Sequence, residues 1–247
     1  MGRILLFLLV ASLFFLDSCL DDKMSDGNPI TNNDSVFVMN VKEPSGLAFS
    51  TTKDALYTVS DNSGLVYKIS FTGEILDELP FMGNDLEGVD VDKTNGDIWV
   101  VEEGLQRVDH LSATGTLINS ITSIHVNTIS SSGFEGIAKH GDYLYIVVEK
   151  EPGVLIKYNL TSNTWVQYSL SFAIDYSGID YDETDNTLWI VSHESKTLNH
   201  CALDGTLIKS QPINVDQAEG VAVDRGKKIV WVVSDFGNKL QKITLKI

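Results

Sequence analysis

Apolar residues in this chain fall into short alternating runs, and the runs come in groups that recur. Alternation with a period of two is the signature of half-buried strands. Each group opens on a glycine preceded by Ser or Glu and followed by a branched apolar residue. The copies are Ser45-Gly46-Leu47, Glu87-Gly88-Val89, Glu135-Gly136-Ile137, Ser177-Gly178-Ile179 and Glu219-Gly220-Val221, at steps of 42, 48, 42 and 42 residues. A second run follows each glycine: Leu56-Tyr57, Ile98-Trp99, Leu144-Tyr145, Leu188-Trp189 and Val230-Trp231. A period of this size marks a repeat architecture.

Each group predicts four strands. In the first they are about Gly46–Ser50, Ala55–Ser60, Leu65–Phe71 and Glu74–Phe81, with turn residues Lys53-Asp54, Ser63-Gly64 and Thr72-Gly73 between them. The next three groups repeat this plan. The fifth supplies Gly220–Val223, Lys228–Val233 and Leu240–Ile247 and lacks a fourth strand. A surplus strand, Val36–Val41, stands at the other end of the chain. Joining the two ends in one sheet leaves no open edge. The expected fold is therefore an all-β, five-bladed β-propeller over residues 36–247, closed by its N-terminal strand. The alternative, six blades, would need a whole blade inside the longer second step, which adds only about six residues.

Charge and the leading segment add place to this picture. There are 34 acidic residues against 18 Lys plus Arg, a net charge of -16. That excludes the basic face that nucleic-acid binding requires. Arg3 precedes an apolar core over Ile4–Leu16, too short to span a bilayer but suited to a signal peptide. The core runs into Leu16-Asp17-Ser18-Cys19, which resembles a bacterial lipobox. On that reading residues 1–18 are a lipoprotein signal peptide, Cys19 carries lipid, and 19–35 form a flexible tether rich in Asp, Asn, Ser, Gly and Pro. An ordinary secretory signal is the alternative. The expected location is the bacterial cell envelope, with the membrane reached through the anchor on Cys19, surface exposure being one option. Cys201 then has no partner, and it alternates with apolar residues as a small core residue does. A monomer is expected.

Antiparallel pairing puts the start of each first strand beside the end of each second strand. Two sets of residues should therefore share one rim of the channel. The first is Ser45, Glu87, Glu135, Ser177 and Glu219; the second is Asp61, Glu103, Glu149, His193 and Asp235. Like charges so gathered cost on the order of 1 kcal/mol or more per pair even near water. Three explanations stand. A hard cation such as Ca²⁺, with six to eight oxygen ligands, would be held by Glu87, Glu135, Glu219, Glu149 and Asp235. A raised pKa on one or two glutamates would supply a general acid. Or each Glu before Gly accepts backbone N–H groups of the next blade.

Other motifs fail. The run Asp90–Asp97 hints at a calcium loop, but its glycine is one place late and Val101 stands where a bidentate Glu belongs. No Gly-x-Ser-x-Gly elbow, HExxH or CxxC is present. Trp99, Trp189 and Trp231 hold the place of Tyr57 and Tyr145, which predicts inter-blade packing.

The segments Leu86-Glu87-Gly88-Val89, Phe134-Glu135-Gly136-Ile137 and Ala218-Glu219-Gly220-Val221, in register with Leu56–Asp61 and Trp99–Glu103, resemble the SdiA-regulated family of bacterial propellers. The resemblance covers roughly Val36 to Ile247 and implies a membrane-associated or exported protein. Gluconolactonase-like propellers share such motifs and hold a divalent metal with Glu, Asn and Asp; Glu87, Glu135 and Glu219 would supply the Glu. The expected function is a lipid-anchored propeller that binds a ligand or partner at its acidic rim, with Ca²⁺ as the candidate ion. A metal-dependent hydrolase of an ester, lactone or phosphoester is the alternative.

Overall fold

A computed structural model describes residues 34–128 and 132–246. The signal segment over residues 1–18, Cys19, and all but the last two residues of the expected tether lie outside the described residues.

Five four-stranded antiparallel sheets form the ring. The chain opens with β1 (Ser35–Val38). Blade 1 is β2 (Pro44–Phe49), β3 (Leu56–Ser60), β4 (Leu65–Ile69) and β5 (Ile75–Met82). Blade 2 is β6 (Leu86–Val91), β7 (Ile98–Glu102), β8 (Arg107–Leu111) and β9 (Leu117–Ile121). Blade 3 is β10 (Phe134–His140), β11 (Tyr143–Val148), β12 (Val154–Asn159) and β13 (Thr164–Ser169). Blade 4 is β14 (Gly178–Asp182), β15 (Thr187–Ser192), β16 (Thr197–Cys201) and β17 (Leu207–Pro212). Blade 5 is β18 (Ala218–Asp224), β19 (Ile229–Ser234) and β20 (Lys239–Thr244), and β1 completes it, Ser35 pairing with Lys242 and Val38 with Lys239. Closure by the N-terminal strand is as expected, and no sixth blade is present among the described residues. The closing strand ends at Val38 rather than Val41, because Met39 and Val41 turn inward and bury against Trp231 and Leu240.

Apolar residues from neighbouring blades meet in five separate clusters, one at each seam of the ring. Trp99, Trp231 and Trp189 lie in the seams between blades 2 and 3, 5 and 1, and 4 and 5. Cys201 is fully buried between blades 3 and 4, where burial pushes its thiol up to about 12 and keeps it protonated.

The repeated glycines explain how five blades close. A Cβ on Gly46 would lie 2.7 Å from Val89 N, on Gly88 2.9 Å from Glu135 O, and on Gly136 3.0 Å from Gly178 Cα. On Gly178 it would lie 2.7 Å from Glu219 O, and on Gly220 2.6 Å from Leu47 N. Every neighbour is backbone of the next blade, and the fifth contact returns to the first blade. Only a residue without a side chain fits such an approach. Gly46 also has φ of +56°, in the left-handed region.

Candidate functional site

The glycine ring separates two cavities. The one at the starts of the inner strands, about 390 Å³, is lined by Ser45, Asp61, Glu87, Glu135, Glu149, Ser177, His193, Glu219 and Asp235. These are nine of the ten residues expected on the rim. The tenth, Glu103, lies beside them, with a carboxylate oxygen within 4.8 Å of oxygens of Glu135 and Glu149.

Local backbone geometry aims the glutamates. In blade 2, Leu86 pairs with Glu102 and Gly88 with Val101, which leaves Glu87 as the extra residue of a β-bulge. Glu135 and Glu219 are the extra residues of the same bulge in blades 3 and 5. A bulge frees one residue from the ladder and redirects its side chain. In blade 4 the strand starts at Gly178, which pairs with Val191, and Ser177 donates its backbone N–H to the carbonyl of the same Val191 at 3.0 Å. The second set is held by one bond per blade. Asp61, Glu103, Glu149 and Asp235 donate backbone N–H to the carbonyls of Glu43, Asp85, Gly133 and Gln217. In blade 4 the carboxylate of Asp175 takes that place, accepting His193 N at 3.2 Å and Glu194 N at 2.9 Å.

The expectation that each Glu before Gly accepts a backbone N–H of the next blade is overturned. Among the described residues Glu87 accepts only the Ser45 hydroxyl, at 2.6 Å, and neither Glu135 nor Glu219 accepts a backbone N–H. That task falls to Asp90, which takes Lys139 N, and Asp180, which takes Val223 N, both at 2.6 Å. These two point into the other cavity, about 200 Å³, where Lys93, Lys139 and Arg225 are paired with Asp90, Asp92 and Asp182. Carboxylates at that mouth are thus largely neutralised. At the first mouth Glu149 meets Lys150 at 2.8 Å, while Glu87, Glu103 and Glu135 meet no Lys or Arg among the described residues.

The electrostatics follow from crowding. Glu135 is 7 % exposed, and burial, then Glu87, Glu103 and Glu149, raises its carboxyl well above the usual range. Glu87 is raised likewise by burial, partly offset by the Ser45 hydrogen bond. Glu219 is lifted to about 7 by burial and then by Asp235 and Asp175. Its Oε1 lies 3.9 Å from His193 Nδ1. Burial also raises Asp61, Glu103 and Asp235, with Asp85 adding to the first two and Glu43 to the third.

Several participants escaped the sequence reading. Asp85 completes a group with Asp61 and Glu87 whose oxygens lie within 4.8 Å of one another. Asp175 forms a further group with Glu149 and Glu194, and Lys150 Nζ already sits against Glu149 and Glu194, at 2.8 and 2.7 Å. Asp85 and Asp175 both stand three residues before a repeat glycine, a register that would have revealed them. The remaining histidines are elsewhere: His110 and His200 stack on Trp99 and Trp189 with ring centroids 4.0 and 4.3 Å apart.

A closed five-bladed propeller with one acidic and one ion-paired mouth is the class that this fold and site define. The model of the family described as SdiA-regulated matches residues 38–239, and the chain belongs to that family. Among solved structures it is similar to streptogramin B lyase, at 20 % identity over 86 % of this chain and 70 % of that one, with a TM-score of 0.53. Virginiamycin B lyase from Staphylococcus aureus is 18 % identical over 82 % of this chain and 66 % of its own length, with a TM-score of 0.51. A luciferin-regenerating enzyme is 11 % identical over 85 % and 95 %, with a TM-score of 0.53. At these identities the likeness is one of fold.

Proposed function

We propose that the acidic mouth is a divalent-cation site, best suited to Ca²⁺, in a lipid-anchored propeller of the cell envelope that receives a ligand or partner there. One observation carries the reading. Oxygens of Glu103, Glu135 and Glu149 lie within 4.8 Å of one another, and among the described residues buried Glu135 meets no Lys, Arg or backbone N–H, its side-chain partner being the Glu103 carboxyl. Carboxylates at this spacing match Ca²⁺ coordination, in which oxygens stand about 2.3–2.6 Å from the ion. Glu87, Glu219 and Asp235 supply further oxygens around the cavity.

A ligand that binds only the folded state raises its melting temperature. Ca²⁺ at about one hundred times its dissociation constant adds about 2.7 kcal/mol, a shift of roughly 5–10 °C for a domain of this size. Glu135→Gln is expected to abolish that shift and, at pH 8, to raise the melting point of the cation-free protein, since burial and the neighbouring acids oppose an ionised carboxylate there. An unchanged melting curve at millimolar Ca²⁺, against chelator, rejects the site.

The anchor has its own test. With Cys19→Ser, the protein is expected to move from the membrane fraction to the soluble fraction; retention in the membrane rejects lipidation at Cys19.

A second reading draws on Glu219, whose carboxyl titrates near neutrality beside His193. Such a group suits proton transfer in hydrolysis of an ester, lactone or phosphoester. Turnover of any such substrate that is insensitive to Glu219→Gln removes that role.

A further inference from the structure

The two faces of the ring differ in more than charge. Among the described residues, loops on the face opposite the acidic mouth carry no large exposed apolar side chain, and the strand ends there carry Ile75, Leu117 and Leu207 at 41, 48 and 40 % exposed. Loop tips and strand ends on the acidic face carry five, one of them Val38, which ends β1 beside Lys239 and is 76 % exposed. Met82 ends β5 and is 71 % exposed, Leu105 stands between β7 and β8 at 55 %, Ile174 between β13 and β14 at 62 %, and Phe236 between β19 and β20 at 55 %. Three adjoin the acids of the mouth. Leu105 is two residues from Glu103, Ile174 precedes Asp175, and Phe236 follows Asp235. Exposed apolar side chains gathered at a polar cavity mark an interaction surface.

We propose that the partner received at this mouth is a polypeptide segment carrying lysine or arginine flanked by apolar residues. The inference rests on the reading that the mouth takes cations. Charge complementarity selects the basic residue. Glu135 lines the cavity, is 7 % exposed and, among the described residues, meets no cationic side chain, only the Glu103 carboxyl. One divalent ion against Glu103, Glu135 and Glu149 still leaves the group Asp61, Asp85 and Glu87, and Asp235 on the cavity wall. Guanidinium and ammonium groups satisfy carboxylates through charge-assisted hydrogen bonds. Apolar flanks then meet Phe236 and Leu105, which belong to blades that are not neighbours in the ring. An occupant touching both must cross the mouth, as an extended chain does. Aromatic anchors around a desolvated charge are the usual centre of such interfaces.

The test uses isothermal titration of the propeller with acetyl-Leu-Arg-Leu-Arg-Leu-amide, in the presence and absence of Ca²⁺. Saturable binding is expected, weakened at least tenfold when serine replaces every leucine of the peptide. The exposed double variant Leu105→Ser/Phe236→Ser is expected to weaken the peptide at least tenfold and to leave the Ca²⁺ melting shift unchanged. Equal affinity for the two peptides, or no loss in the double variant, overturns the proposal. A preserved Ca²⁺ shift with no peptide binding overturns it alone and leaves the cation site standing; loss of both rejects both. Binding of phosphatidylcholine vesicles that depends on Leu105 and Phe236, without peptide binding, assigns the apolar tips to a membrane and equally overturns it.

Discussion

Gly220→Ala should be a severely damaging single-methyl change in this protein. The new Cβ would lie 2.6 Å from Leu47 N and 2.7 Å from Gly46 Cα, in the seam where the last blade meets the first. Neither neighbour is a side chain that can rotate away. Both are backbone of the inner strand β2, at the irregularity between Ser45 and Ala48, where the Thr58 hydroxyl holds Gly46 O at 2.9 Å and the opposing blade closes the other side. Relief requires the blades to part along the whole seam, including the contact of Leu47 and Phe49 with Trp231. Overpacking of a dense interior costs about 1–3 kcal/mol and sometimes more. A rigid backbone obstacle places this case at the upper end, about 3 kcal/mol, or roughly 6–12 °C in melting temperature. Gly226→Ala is the control, because its nearest neighbour is Asp224 Oδ1 at 3.5 Å and its φ is not in the left-handed region. A thermal melt of the two variants decides the matter. Equal melting points for both would mean that the glycine ring does not set the blade spacing.

The second large effect is on pH. Glu219 binds its proton more tightly in the folded protein than in the unfolded chain, with its carboxyl lifted from the usual 4.5 to about 7. The stability this contributes is complete below about pH 4.5 and is lost as pH rises through 7. Each pH unit of difference is worth about 1.36 kcal/mol, so Glu219 alone accounts for about 3 kcal/mol between pH 4.5 and pH 8. Glu87 and Glu135 are raised by burial and act in the same direction. So does Asp180 at the other mouth, which burial and then Asp90 lift to about 7. The cation-free protein is therefore expected to melt at a markedly higher temperature at pH 5 than at pH 8. Ca²⁺ should recover much of the loss at pH 8, and Glu219→Gln should flatten the profile. A melting point that rises from pH 5 to pH 8 in chelator would contradict this account of the mouth.

What the chain disclosed in advance, and what it hid, divides by range. The glycine spacing and the alternating runs are local signals, and they were enough for five blades and for closure by β1. The rim followed from antiparallel pairing alone, which fixes the strand ends that meet whatever the side chains do. The bulges were not legible. The first strands expected from the sequence start at the glycine and leave Glu87, Glu135 and Glu219 just outside them; only the registers of β6, β10 and β18 show them within the strand and released from the ladder. The same limit misassigned the inter-blade hydrogen bonds. Those belong to Asp90 and Asp180, two residues beyond the repeat glycine, on the other side of the ring. Asp175 was missed for a different reason: it replaces a backbone carbonyl with a side chain in one blade only, an exception that a repeat pattern averages away.

Closure by β1 also sets an order of assembly. The sheet of blade 5 joins Ser35 to Lys242, so the first strand of the domain to leave the ribosome waits for the last. Until Lys239–Thr244 is made, β1 has no partner, and Met39 and Val41 lack Leu240 to pack against. Blades 1 to 4 use strands contiguous in the chain and can form as they emerge. The final seam cannot, and it requires the longest loop closure in the domain. A nascent chain is thus an open arc with one unsealed apolar flank, and commitment to the ring comes in a single late step.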